Sequence, residues 1–242
     1  MQYPKIQTLF NRDLDTFKVI PGEFRWKEFE QIKQWEVTEK IHGMNMRVIY
    51  KMDRRQTGMI GMAKIMEYTE RSLRFAGRTD KAQIPPMLQE YMEKTFTLEK
   101  MAEAFPDLEK SSDVILFGEG YGEKINNGGN YTGKGVKFRL FDVFITDQKN
   151  PFRGWWLESE NVKNIADKLN IETVPIIGIY TTEDIIDWFI HSNKYPWGSI
   201  VQFYDNPDAD TILMEGIVAR TKPLMFTRRG KRIIWKLKIS DF

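Results

Sequence analysis

Strand-like runs dominate this chain, and they come in adjacent groups rather than in regular alternation with helices. Runs rich in β-branched and aromatic residues cover positions 35–40, 46–51, 113–119, 136–146, 171–180, 211–220 and 232–239. Helical periodicity is clearest over 158–169, where Val162, Ile165, Ala166 and Leu169 share one face. A second helix starts at Thr181 or Thr182, either of which can cap its first turn, and carries Ile185, Ile186, Phe189 and Ile190. A third is expected over 87–96, after Pro85-Pro86. Alternating strands and helices would predict a doubly wound parallel sheet. Strands that neighbour one another in sequence predict an α+β fold with antiparallel sheets flanked by helices.

Neither an internal repeat nor a low-complexity linker interrupts the 242 residues. With 41% hydrophobic residues there is enough apolar material for one substantial core, or for one large and one very small domain; a single domain over 1–242 is the expectation. The balance of 36 basic against 34 acidic residues leaves a net charge of +2, and any basic surface must therefore arise by local clustering. No cysteine is present, which excludes disulfides and thiolate zinc sites and permits a reducing compartment. With His42 and His191 the only histidines, a bound metal is expected to be a hard cation on oxygen ligands. No apolar stretch approaches the ~18 residues of a membrane span. Met1-Gln2-Tyr3-Pro4-Lys5 lacks the features of a signal peptide. The expected location is the cytoplasm, without a membrane partner.

Several short clusters carry chemistry, each with a plainer alternative. In Glu39-Lys40-Ile41-His42-Gly43-Met44-Asn45, a lysine ends a strand and a glycine lets the backbone turn near a ligand. An amine can attack a nucleotide α-phosphate if burial and neighbouring cations supply its neutral form; a surface lysine beside a hairpin is the alternative. In Phe117-Gly118-Glu119-Gly120, a carboxylate among glycines could accept hydrogen bonds from ribose hydroxyls, or be a solvated turn. Phe138, Phe141 and Phe144 could stack on a base, or be core. Glu215, at the entry to an apolar strand, could hold a divalent cation. Lys236 and Lys238 project from one strand face, where a phosphate would be a natural partner and solvent the alternative. Gly128-Gly129-Asn130-Tyr131-Thr132-Gly133-Lys134 has P-loop spacing, but Gly135 and a β-run follow instead of Ser or Thr and a helix.

Taken in order, Lys40-Ile41-His42-Gly43, Phe117–Gly120, Phe138–Val143, Glu215–Val218 and Lys236-Leu237-Lys238 resemble the nucleotidyltransferase motifs of ATP-dependent polynucleotide ligases and capping enzymes. His42 and Asn45 resemble the RNA ligase 2 branch, which includes phage and kinetoplastid editing ligases. Gly77-Arg78-Thr79-Asp80 resembles an arginine segment of that branch, although the stretch from Lys40 to Arg78 is longer than expected, and Arg54, Arg55, Arg71 and Arg74 compete for its role.

The resemblance implies an ATP-grasp-like ligase adenylation domain that uses ATP and Mg²⁺ or Mn²⁺. Lys40 would accept AMP. Glu39 and Ile41 would adjoin adenine, Glu119 would bind the ribose, and Phe141 would stack on the base. Glu215 would serve the metal, with Asp142 supporting the site as a second possible ligand. Lys236 and Lys238 would contact phosphates, and Asn45 and Arg78 would engage AMP or the nucleic-acid ends. The implied partner is RNA, as free ends or a nicked duplex, with DNA possible. A monomeric, phage-like RNA-repair enzyme is expected, in the host cytoplasm if viral. Four residues follow Lys238, so no C-terminal OB domain is expected, and nucleic acid would be held by loops; the strip of Lys222, Arg228, Arg229, Lys231 and Arg232 is one candidate, with a solvated hairpin the equal alternative. A minimal DNA ligase, a capping activity using GTP, and a nucleotide- or RNA-binding module of the same fold without strand joining stay open.

Overall fold

The computed structural model describes residues 1–126, 131–147, 150–190 and 197–242. The chain forms two compact units. The first comprises Met1–Tyr3, Met44–Gly120 and Val136–Thr173; the second comprises Pro4–Gly43, Tyr121–Gly135 and Val174–Phe242.

In the second unit, five strands lie side by side in the order Gln7–Thr8, Ile234–Lys238, Gly216–Arg220, Gln34–Lys40 and Ile176–Thr181. All neighbours are antiparallel except the short Gln7–Thr8 strand, which runs parallel to Ile234–Lys238. The period of two sends Trp35, Val37, Ile217, Ala219, Trp235 and Leu237 to one face. There they meet Ile185 and Phe189 of the helix Thr182–Ile190 in a continuous core. Trp35 and Trp235 pack edge to face at 5.3 Å between centroids. The other face carries Glu36, Thr38, Lys40, Arg220, Lys236 and Lys238. Glu36 is buried and receives Arg220 Nε at 3.1 Å and Lys222 Nζ at 3.3 Å, as a carboxylate removed from water requires.

The first unit is built on a sheet in the order Glu172–Thr173, Val136–Asp147, Ser112–Gly122, Met44–Ile60 and Ala63–Gly77, with Asn150–Trp156 also paired to Val136–Asp147. The helices Pro86–Thr95, Leu98–Ala104 and Ser159–Leu169 belong to this unit and bury Leu88, Met92, Met101 and the apolar stripe Val162, Ile165, Ala166 and Leu169. The last of these helices ends on Asn170 in the left-handed region, whose N–H closes back on Ala166 and Asp167. Gly118 leaves room for the ring of Phe138: a Cβ there would sit 2.1 Å from it and 2.5 Å from the Arg139 carbonyl oxygen. Gly120 does the same for Leu88 at 2.5 Å. The glycines around Glu119 are therefore required by packing.

The α+β class with mainly antiparallel sheets matches the expectation, and so do the three helices. The 171–180 run is a correction. It splits into Glu172–Thr173, paired with Arg139 and Leu140, and Ile176–Thr181, paired with Gln34–Lys40. Pro175, which has no N–H for a ladder, stands at the break. The 211–220 strand begins only at Gly216, with an isolated bridge at Leu213 before it. The 46–51 strand extends to 17 residues and pairs with a 15-residue partner over Ala63–Gly77 that the sequence reading lacked. His191 and residues 128–130 of the P-loop-like run lie outside the described residues; after Gly135 the structure has a strand, not a helix. Among the described residues no helix is long and apolar enough to cross a membrane.

Gly118→Ala is expected to destabilise the protein by about 1–3 kcal/mol, because the methyl group must displace a buried ring and backbone. Urea unfolding of both proteins measures this, and an unchanged midpoint would remove the packing account of that glycine.

Candidate active site

Strand register assembles the charged cluster of the second unit. Lys40 lies directly opposite Gly216, which lies opposite Lys238; one step along, Thr38, Val218 and Lys236 are aligned in the same way. Lys40 and Lys238 are thus two strands apart, a separation of about 9–10 Å between strands. The residue between them has no side chain. Gly216 could carry none, since a Cβ there would meet the Leu237 carbonyl oxygen at 2.1 Å. Glu215 occupies this gap. Its Oε2 accepts a very short hydrogen bond from Lys40 Nζ, and its Oε1 lies 2.5 Å from Lys238 Nζ.

One carboxylate therefore bridges two ammonium groups, with a third close by. Burial pushes the Glu215 carboxyl upward, but Lys40 and Lys238 outweigh it and hold the group below the ordinary glutamate value. Lys236 is shifted down from the ordinary lysine value by burial first, then by the charges of Lys40 and Lys238. The cluster is short of negative charge, an arrangement that suits a phosphate group.

The strand end that carries Lys238 is braced by residues the sequence reading did not single out. Asp241 is buried, accepts a hydrogen bond from the Lys238 N–H at 2.9 Å, and pairs with Arg12 at 2.6 Å. Lys18 Nζ reaches the Ser240 carbonyl at 3.0 Å. An acid three residues after a strand lysine is the only hint in the sequence, and its arginine partner is remote.

Glu39 is placed on the core face of the sheet, opposite to Lys40. Its carboxylate accepts from Ser199 Oγ at 2.6 Å and from the Val201 N–H at 3.0 Å, so it anchors the start of the helix Ile200–Asp205. Ile41 is buried. His42 is exposed, and its N–H donates to the Tyr131 hydroxyl at 3.1 Å. Of the basic strip, Arg228, Arg229 and Lys231 are exposed around a turn at Gly230, Lys222 is drawn to Glu36, and Arg232 is buried.

The remaining predicted residues belong to the first unit. Asn45 and Glu119 are direct cross-strand partners, both half-buried, so they share one face of that sheet. Asn45 Oδ1 is buried without a hydrogen-bond partner. Phe141 is half-buried with its ring 5.0 Å from that of Tyr3, whose hydroxyl donates to buried Asp142 at 2.5 Å. Arg78 is exposed just beyond Gly77. Two of its competitors are engaged elsewhere: Arg74 binds Asp80 at 2.6 Å, and Arg71 binds the carbonyls of Ser112 and Glu109. Buried Arg47, also missed from sequence, ties Asp80 and the Gly77 carbonyl together and so fixes the turn that bears Arg78. Among the described residues, no three acidic or histidine side chains converge as a metal site.

Residues 33–238 match the family model described as RNA ligase. No curated protein matches the chain. Among solved structures, a variant of the Naegleria gruberi RNA ligase with ATP and Mn is similar at 20% identity and a TM-score of 0.53, covering 98% of this chain and 57% of that one. An archaeal ATP-dependent RNA ligase is similar at 15% identity and a TM-score of 0.52, covering 98% and 47%. A protein from Aquifex aeolicus, named provisionally as an ATP-dependent DNA ligase, gives 17% identity and a TM-score of 0.51, covering 97% and 49%. These likenesses establish the shared fold. The chain spans about half the length of these structures.

The depressed Glu215 carboxyl has a consequence for stability. Its folded value lies below its unfolded one, so its stabilising contribution is complete above the ordinary glutamate value of 4.5 and is lost as pH falls through the folded value. The melting-temperature gap between wild type and Glu215→Gln is expected to be widest near neutral pH and to close in acid. Thermal melts at a series of pH values measure it; a gap independent of pH would contradict the ion-pair account.

Proposed function

Because the chain belongs to the RNA ligase family, we propose that it is an ATP-dependent RNA ligase that joins 3′-OH and 5′-phosphate ends through a covalent lysyl-AMP intermediate on Lys40. The observation that carries this reading is the bridge from Lys40 through Glu215 to Lys238, with Lys236 beside it. It holds an amine next to cations that an incoming triphosphate would neutralise.

In the first step Lys40 Nζ attacks the α-phosphorus of ATP. A P–N bond forms, the P–O bond to the β-phosphate breaks, and pyrophosphate leaves with the electron pair. The attacking nitrogen must shed a proton, and Glu215, the carboxylate already in contact with it, is positioned to receive it. Lys236 and Lys238 offset the negative charge that develops on the phosphates. AMP then passes to a 5′-phosphate, and a 3′-OH displaces AMP to close the phosphodiester.

A divalent cation, Mg²⁺ or Mn²⁺, would supply further charge neutralisation on the phosphates. Glu215 fits the modest protein contribution such an ion takes, commonly one or two carboxylates with substrate phosphate oxygens completing the shell. Asp142 is bonded to Tyr3, which favours a supporting role for it. With its carboxylate committed to Ser199 and Val201, Glu39 would act toward adenine through its backbone, beside Ile41. Asn45, Arg78, Glu119 and Phe141 are carried as contacts to AMP or the nucleic-acid ends. For Asn45 the support is its unpartnered Oδ1, and for Arg78 its exposure. We further place the protein, as a monomer, in the cytoplasm, the compartment that supplies ATP and RNA ends.

Incubation with labelled ATP and Mg²⁺ is expected to yield a covalent AMP adduct that Lys40→Ala abolishes; a labelled Lys40→Ala protein would overturn the assignment. Glu119→Ala and Glu215→Ala are each expected to slow adduct formation at least tenfold, about 1.4 kcal/mol in barrier. A chase with nicked RNA and nicked DNA identifies the substrate, and an adduct that joins neither would leave a nucleotide-binding module.

A further inference from the structure

The strand Met44–Ile60 pairs with Ser112–Gly122 only as far as Tyr50, opposite Val114. Its pairing with Ala63–Gly77 continues past that point to Ile60 opposite Ala63. Among the described residues, positions 51–72 therefore form a two-stranded ribbon with no third strand beside it. The ribbon is anchored at its base: the Met52 N–H donates to Asp113 Oδ1 at 2.9 Å, and Arg71 binds two carbonyls and lies over the Tyr50 ring. Beyond that base, seven or eight residues of each strand project, on the order of 25 Å of extended chain.

The far end does not have the composition of an ordinary solvated hairpin. Ile60 is 74% exposed, Met62 99% and Met59 58%, with Ile65 and Met66 partly exposed beside them. Residues 54–66 contain no Asp or Glu, while Arg54 and Arg55 are exposed at the start of the apolar tip. An isolated two-stranded ribbon is marginal in water, and clustered exposed apolar side chains mark an interaction site. Acids return only below the tip, at Asp53, Glu70 and at Glu67, which lies across the strands from Arg55, so the charge of the tip itself suits an anion. Unbranched and β-branched apolar side chains flanked by arginines are the equipment of proteins that press a wedge against base steps while holding the adjoining phosphates.

We propose that the tip of the 51–72 ribbon docks on the RNA substrate, with Ile60 and Met62 set against exposed base faces and Arg54 and Arg55 on neighbouring phosphates. This rests on the ligase reading, which supplies the nucleic acid. A duplex RNA offers the ribbon a wide, shallow minor groove, and a nick or end offers base faces that are already partly unstacked. The ribbon acts after nucleotide transfer to the protein, because Lys40, Glu215, Lys236 and Lys238, the residues assigned to that step, all lie outside it.

The test compares the full-length protein with the double variant Ile60→Ser, Met62→Ser, and with a second variant in which residues 56–66 are replaced by a two-residue turn. Each is assayed for AMP labelling, for affinity toward a nicked RNA duplex by fluorescence anisotropy, and for sedimentation with phosphatidylserine–phosphatidylcholine vesicles. Labelling within twofold of wild type, with RNA affinity at least tenfold weaker in both variants, supports the wedge. Unchanged RNA affinity in both variants overturns it. So does a loss confined to vesicle binding, which would assign the tip to a lipid surface. If the wild-type protein takes no AMP label, the ligase reading falls, while the difference in RNA affinity still decides the role of the ribbon.

Discussion

One carboxylate holds the cationic cluster together. Lys40, Lys236 and Lys238 are brought to one face of one sheet by register alone, and without an acid among them three ammonium groups would repel one another in a partly dehydrated setting. Glu215 is the acid that the local backbone admits to that position. It precedes a glycine that must be a glycine, because the neighbouring strand passes too close for any Cβ. The pairing of Glu215 with Gly216 is a packing requirement and an electrostatic requirement met by adjacent residues.

Acidic residues in this unit divide by what their oxygens already hold. Glu36 is occupied by Arg220 and Lys222, Glu39 by the start of a short helix, and Asp241 by Arg12 and the Lys238 backbone. Each keeps part of the sheet in place. Glu215 differs because both its partners are the lysines proposed for the chemistry, so the same contacts that stabilise it would be exchanged when a phosphate arrives. The first unit shows a parallel division among arginines. Arg47, Arg71 and Arg74 are spent on carbonyls and Asp80, and the turn that Arg47 and Arg74 brace through Asp80 leaves Arg78 exposed.

What the sequence made legible follows from which interactions are local. The strand period of two was enough to put Lys236 and Lys238 on one face, and the apolar stripe of 158–169 was enough to place that helix. The roles of Asp241 and Arg12, and of Glu39 and Ser199, were not legible, since each depends on residues more than a hundred positions apart that only the fold brings together. The break in the 171–180 run was signalled by Pro175 and could have been read. The long ribbon was half visible: the excess length between Lys40 and Arg78 was apparent, but its strands lack clean alternation because most of their residues are bound to no face. A pattern that reports burial is silent where nothing is buried.

The lowered lysine makes the last link between fold and function. Lys236 is held below its usual value because burial and two like charges disfavour its proton. Between that value and the ordinary lysine value of 10.5, the unfolded chain binds more protons there than the folded one, so this residue costs the folded protein stability that rising pH returns. A polyphosphate placed among the three lysines reverses the sign of the local potential and restores the proton. The cost that burial and like charge place on Lys236 is then part of what such a ligand would relieve. A cluster so built is expected to be less stable than an apolar replacement of the same shape would be, which separates what the three lysines offer a ligand from what the fold itself requires.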